Sequence, residues 1–139
     1  MGKSELYAQM SSNETQISAL QEENYDYQTR ITQLKAVYEE MKQAKADLKA
    51  HKSHVEDFSN ENLALWKGDL FKSRYQSFLQ GTIASGDYNT VISEIDKNMA
   101  VVNNQRCEYE NEMYRNEGLI GNLRSLINSI WTQIQNWID

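Results

Sequence analysis

Apolar residues recur along the first part of the chain at spacings that alternate between four and three residues. The pattern, which we call the first seam, keeps its phase through Leu6, Met10, Asn13, Ile17, Leu20, Asn24, Tyr27, Ile31, Leu34, Tyr38, Met41, Lys45, Leu48, Lys52 and Val55. Such a heptad repeat is typical of a long helix that packs one narrow face on another helix. It predicts a helix from about Ser4 to about Asp57, roughly 80 Å long.

A second seam with equally steady phase follows later in the chain. It comprises Tyr88, Ile92, Ile95, Met99, Val102, Arg106, Tyr109, Met113, Asn116, Ile120, Leu123, Ile127, Ile130, Ile134 and Trp137, and it predicts a helix over about 87–138. Two helices of similar length bury their seams most simply by folding back antiparallel. We therefore expect an all-α, single-domain chain built as a long, coiled-coil-like two-helix hairpin.

The region between the seams, about 58–86, is predicted to contain the hairpin tip. Trp66 can cover the open end of the seam, and Gly68 can take the left-handed conformation that ends a helix and turns the chain. A short amphipathic helix capped by Asp69 should follow, with apolar positions Leu70, Phe71, Tyr75, Phe78 and Leu79. Its phase differs from that of the second seam, which predicts a kink or break between Gly81 and Gly86 and a helix cap at Asp87.

Asparagine at two positions of the first seam, Asn13 and Asn24, has two interpretations. A buried amide costs stability unless it is paired, and it can fix the register of a helix pair. Alternatively, both amides face solvent near a frayed helix end. The sequence leaves these alternatives open.

Composition and charge narrow the functional class. The 139 residues include no proline and six glycines, which favours long helices, and the formal net charge is −6. Nucleic-acid binding relies on clustered cations. The densest basic run consists of Lys35, Lys42, Lys45, Lys49 and Lys52. Acidic residues are interleaved with it, as on a solvated helix face whose charges pair four residues apart. No stretch has the length of a membrane span, and the first residues lack the basic start and apolar run expected of a cleavable signal. We expect a cytoplasmic protein that neither binds nucleic acid nor inserts into membranes.

Candidate catalytic and metal-binding residues are few. His51 and His54 are spaced to share a metal, but no complete ligand set accompanies them. Cys107 has no histidine at a motif spacing, and we expect it to be a half-buried small residue beside Arg106. No phosphate loop or nucleophile motif occurs. The sequence therefore indicates a protein without catalytic residues, metal or cofactor, whose work is to bind other helices.

The apolar face of the second helix widens after Gly118, to a sector about 140° wide where an ordinary one-sided helix has about 100°. Leu119, Leu126 and Trp137 lie on one side of the seam and Trp131 lies on the other. A helix with so wide an apolar face favours more than one neighbour. We therefore predict a partner interface at these residues, which would complete a bundle of three or more helices.

With Trp66 and Gly68 between two heptad helices, the chain resembles the WXG-type helical-hairpin proteins of type VII secretion. It is most similar to the small α-helical partners of LXG-domain toxins in Gram-positive bacteria. The resemblance covers the whole chain by architecture and two residues by motif. It implies a toxin-associated chaperone or targeting factor that pairs with the toxin's N-terminal helical domain, with a second small hairpin, or with both.

In that family, export signals often place an aromatic residue four positions before an acidic one. Here Gln135 follows Trp131 at that spacing and Gly118 follows Tyr114, which favours a partner protein over an autonomous effector. The resemblance implies that the chain is cytoplasmic before export. It also implies two alternatives afterwards: the chain is secreted with its partner by a route that needs no signal peptide, or it stays in the cell. The alternatives are a self-associating coiled-coil scaffold and an autonomously secreted homodimer.

Overall fold

The computed structural model describes residues 2–63 and 74–137, with the side chains of 59–63 excepted. Two long α-helices dominate it: α1 spans Lys3–Leu63 and α2 spans Asn89–Gln135, and a π-helical segment, Phe78–Tyr88, precedes α2. Residues 74–77 are α-helical, and no strand occurs in these two ranges. The predicted all-helical architecture with two long helices is confirmed.

The burial pattern along both helices follows the two seams. From Ser4 to Val55, each residue of the first seam is buried or half-buried, and all the residues between them are exposed. From Tyr88 to Ile134, each residue of the second seam is likewise buried or half-buried. Three residues outside the seam in this range are also half-buried: Gln105, Glu110 and Glu112. The heptad periodicity therefore identified the inward face of both helices, whereas Trp137, the last predicted position of the second seam, is exposed.

The chain divides into two compact units. We call Met1–Leu34 with Gln105–Asp139 the terminal unit, and Lys35–Asn104 the central unit. In the terminal unit, Leu6 forms a buried cluster with Ile130 and Ile134, against which Met10 packs. Further along, the rings of Tyr27 and Tyr109 lie 5.6 Å apart. Residues later in α1 contact residues earlier in α2, so the two helices of this unit are antiparallel.

The central unit pairs its helices through less buried residues. Its seam positions, such as Met41, Leu48 and Ile95, are half-buried, and the fully buried residue in its described part is Ala84. An ion pair joins Lys45 of the first seam to Asp96 of α2. Lys45 lies in the seam as its heptad position predicts and reaches across it, so the other prediction, of a solvated face with partners four residues away, is wrong for this residue. Lys52 does pair four residues on, with Glu56 at 3.8 Å.

Of the kink or break predicted between Gly81 and Gly86, the break is absent. The backbone is helical from 74 to 135, and the region of the phase slip is the π-helical segment. A π-helix bonds each residue to one five positions away, so its turns hold more residues and shift the side-chain phase without interrupting the helix. Asp87 lies inside this segment and not at a helix start, so its predicted capping role is wrong.

Gly86 occupies a tight position within the π-helical segment. A Cβ atom there would lie 3.3 Å from the carbonyl oxygen of Gly81. The Gly86 carbonyl oxygen itself accepts a hydrogen bond of 2.7 Å from the Thr90 hydroxyl. Glycine, which has no Cβ atom, therefore allows the backbone at position 86 to approach the carbonyl oxygen of Gly81 closely.

The helix boundaries differ modestly from those predicted. The first helix continues six residues past Asp57 to Leu63, and the second begins at Asn89 and ends at Gln135. The tip residues Trp66 and Gly68, and Asp69 at the start of the short helix, lie outside the described residues. The tip and the single-domain organisation therefore stay predictions.

Candidate helix-binding surface

A polar cluster interrupts the apolar seam of the terminal unit. Asn116 is only 4% exposed, and its amide nitrogen donates to the Asn24 side-chain oxygen at 2.9 Å and to the Glu23 carboxylate at 3.3 Å. The Asn24 amide in turn donates to the backbone oxygen of Met113 at 3.3 Å. Of the two interpretations of the seam asparagines, the structure favours pairing for Asn24, while Asn13 is half-buried.

Glu23 links this cluster to an aromatic pair. The Tyr27 hydroxyl donates a hydrogen bond to the Glu23 carboxylate, and this bond, with desolvation and the negative charge of Glu23, raises the pKa of Tyr27 above its ordinary value. The Arg30 guanidinium lies over the Tyr109 ring, 5.5 Å from its centroid. Together these contacts form a polar and aromatic section between the aliphatic parts of the seam.

The four residues predicted to contact a partner lie at the surface of the described chain. Leu119 and Leu126 directly precede seam residues, so they share one flank of the helix pair, whereas Trp131 directly follows a seam residue and lies on the opposite flank. Leu126 is 52% exposed and Trp131 is 43% exposed. Leu119 and Trp137 are also exposed, and Trp137 lies beyond the last residue of α2.

The flank that carries Leu119 contains a shallow groove of about 380 Å³. Its apolar walls are Leu20 and Ala19 from α1 and Leu119 and Leu123 from α2, and its polar lining is two amides, Gln16 and Asn122. None of these residues is charged. The groove is therefore a neutral, mostly apolar concavity between two antiparallel helices, with Leu126 one heptad along from Leu119 on the same flank.

The opposite flank carries an aromatic residue that the sequence reasoning did not single out. Tyr7 directly follows Leu6, and Trp131 directly follows Ile130, which packs in the same cluster as Leu6. In an antiparallel pair, residues that directly follow the seam on each helix share a flank. Tyr7 is 44% exposed. The antiparallel register was needed to group it with Trp131, because the two are far apart in sequence.

Two further exposed tyrosines extend beyond this flank. Tyr25 and Tyr114 are among the most exposed large side chains of the terminal unit. Each follows a seam residue, Asn24 and Met113, which lie in contact through the asparagine cluster. A list of aromatic residues one position after the seam would have found Tyr7, Tyr25 and Tyr114 from sequence.

Residues capable of chemistry do not converge in the described ranges. His51 and His54 contact each other edge to face with ring centroids 6.4 Å apart, and no group of three or more histidine, cysteine or acidic side chains there could hold a metal. Cys107 is exposed, so the prediction of a half-buried residue is wrong. It follows Arg106 of the seam by one position and points away from the helix pair.

Neither long helix, over the residues described, combines the length and apolarity that crossing a bilayer requires. Comparisons with protein-family models, with curated proteins and with solved structures found no match to this chain.

Proposed function

We propose that this chain is a non-enzymatic helical partner that binds the N-terminal helical domain of an LXG-type toxin and acts as a chaperone or targeting factor for type VII secretion. The observation that carries the proposal is the set of apolar side chains left at the surface on both flanks of one antiparallel helix pair. The identity of the partner class comes from the sequence resemblance, which rests on Trp66, Gly68 and the paired heptads.

The exposed residues are of the kind that anchors helix association. Tryptophan and tyrosine are enriched among residues that dominate binding energy, because they bury a large area at little cost in conformational entropy. Trp131 and Tyr7 supply such side chains on one flank, and Leu119 and Leu126 supply aliphatic ones on the other. A helix laid along either flank removes these side chains from water, and helices on both flanks complete a four-helix arrangement.

The neutral lining of the groove indicates how the partner is recognised. With Gln16, Ala19 and Asn122 around the leucines, apolar burial and amide hydrogen bonds would supply the affinity. Ion pairs would contribute little at this groove, so binding there should depend only weakly on salt concentration. A partner helix that fits would present small and aliphatic residues without charges.

Titration calorimetry with the helical domain of a toxin encoded beside this chain tests the proposal. Trp131→Ala and Leu126→Ala should each weaken binding about thirtyfold, equivalent to about 2 kcal/mol, because each removes an anchor that packs on the partner. Circular dichroism of the free chain should be unchanged, since both side chains are exposed in it.

The matched control is Asn128→Ala, an exposed polar residue on the same helix, which should leave affinity unchanged. If the wild-type chain fails to bind any adjacent toxin domain and instead forms a stable, cooperatively melting homodimer, the scaffold alternative replaces the proposal. If the toxin domain binds and both anchor variants match wild type, the partner class stands and the interface is wrong.

A further inference from the structure

We infer that the paired amides of Asn24 and Asn116 are specificity-determining residues that select one register for the helix pair of the terminal unit. The Asn116 amide nitrogen lies 2.9 Å from the Asn24 side-chain oxygen across this pair, and Asn116 is almost completely buried. The inference does not depend on the proposed function, because it concerns how the chain's own helices recognise each other.

Apolar packing alone does not select a register here. Moving one helix past the other by seven residues keeps every seam position facing a seam position, since the repeat has that period. Ile17 and Ile31 lie one heptad on either side of Asn24, and Tyr109 and Leu123 lie one heptad on either side of Asn116. A slipped pairing would therefore still bury a largely apolar seam.

The amides distinguish these alternatives. After a slip of one heptad, Asn116 would face Ile17 or Ile31, and Asn24 would face Leu123 or Tyr109. Ile17 and Ile31 are buried in the native pair, so the displaced Asn116 amide would meet an apolar environment without a partner. Leaving a buried polar group unpaired costs more than a native hydrogen bond contributes, so the penalty falls on the slipped registers.

The surrounding groups supply partners in the native site, and no buried side-chain nitrogen or oxygen among the described residues lacks a hydrogen bond. The Asn116 amide nitrogen reaches both Asn24 and Glu23, and the Asn24 nitrogen reaches the Met113 carbonyl. Two of these acceptors belong to α1 and one belongs to α2, and all three lie beside each other at one position along the helix pair. A foreign helix that offered only aliphatic side chains at this level would leave the same amides unpaired, so it would be rejected as a replacement for either native helix.

The test measures register directly by double electron–electron resonance between spin labels on exposed Ser12 and Ser125, introduced as cysteines in a Cys107→Ser background. With native amides, we expect one distance. In the variant that combines Asn24→Leu with Asn116→Leu, we expect additional distances between the labels, from molecules in which one helix has shifted by one heptad, roughly 10 Å along the axis. These molecules should make up at least about a tenth of the total. Helicity should be retained.

The control combines Ile31→Leu with Ile120→Leu, which changes two buried seam residues and leaves the amides in place; it should keep the single distance. A single, unshifted distance in the double leucine variant of the asparagines would overturn the inference, because packing would then select the register without them. Loss of helicity in that variant would also overturn it, since the amides would then be needed for folding and not for register.

Discussion

The terminal and central units are built on the same two heptad repeats but differ in what the seams contain. Buried aliphatic residues of the terminal unit include Leu6, Ile17, Ile31, Ile120, Ile130 and Ile134. The terminal seam contains one cation, Arg106, whereas the central unit places Lys45 and Lys52 in its seam, and its apolar seam residues are half-buried. The difference shows that periodicity decides which face of a helix turns inward, while residue identity decides how much apolar surface leaves water.

The two units also differ in how they specify pairing. The terminal unit uses a satisfied amide cluster around Asn24 and Asn116, whereas the central unit uses the ion pair of Lys45 with Asp96, in which the Asp96 side chain is half exposed. A partly exposed ion pair contributes little free energy and tolerates displacement, because water replaces either partner. We therefore expect the terminal unit to carry most of the stability and the pairing specificity.

The sharpest test of this comparison replaces matched isoleucines of α2. Ile130→Ala, in the buried cluster with Leu6, should lower the free energy of unfolding by about 3 kcal/mol because it removes buried methyl groups and leaves a cavity. Ile95→Ala, at a half-buried seam position of the central unit, should cost about 1 kcal/mol. Urea unfolding followed by circular dichroism measures both, and equal losses would contradict the difference between the units.

A smaller effect is expected when the central seam is made more like the terminal one. Lys45→Leu should raise the free energy of unfolding by about 1 kcal/mol, because apolar surface replaces a half-buried ammonium whose ion pair contributes little. The control is Lys42→Leu, at an exposed position outside the seam, which should give no gain. Destabilisation by Lys45→Leu in thermal unfolding would show that the ion pair matters more than burial here.

Exposed residues of either unit should be insensitive. Cys107→Ser in the terminal unit and His51→Ala in the central unit should each change the free energy of unfolding by less than about 0.5 kcal/mol, because both side chains are exposed. Chemical denaturation of the two variants beside wild type measures this. A loss above 1 kcal/mol for either would assign that residue a packing role.

The smallest effect concerns the link between the amide cluster and the aromatic pair. The Tyr27 hydroxyl donates to the Glu23 carboxylate, and this contact favours the neutral phenol and raises the pKa of Tyr27. The stabilising contact is therefore fully present when the pH is below the ordinary tyrosine pKa. It is lost as the pH rises through the raised pKa of Tyr27. Glu23→Gln should lower the pKa of Tyr27 toward its ordinary value in an NMR titration. Glu22→Gln, an exposed neighbour, should not, and an unchanged titration in Glu23→Gln would contradict the assigned cause.

The heptad periodicity predicted the buried faces of both helices, whereas several assignments made from single residues were wrong. The buried faces of both helices follow the predicted seams, since a heptad repeat averages over many positions. Cys107, Asp87 and the solvated-face pairing of Lys45 were each assigned from local context, and each depends on tertiary contacts or on the π-helical winding that the local sequence does not specify. The candidate interface residues Leu119, Leu126, Trp131 and Trp137 are exposed, and their role in binding stays a prediction.

The sequence by itself determined that the chain forms two long helices and which side chains they turn toward each other, because the spacing of apolar residues is a local property of each helix. Only the tertiary structure decided the register, since a repeat of seven residues looks the same after a slip of seven. The contact of Asn24 with Asn116, the placement of Tyr7 and Trp131 beside one buried cluster, and the groove beside Leu119 all follow from that register.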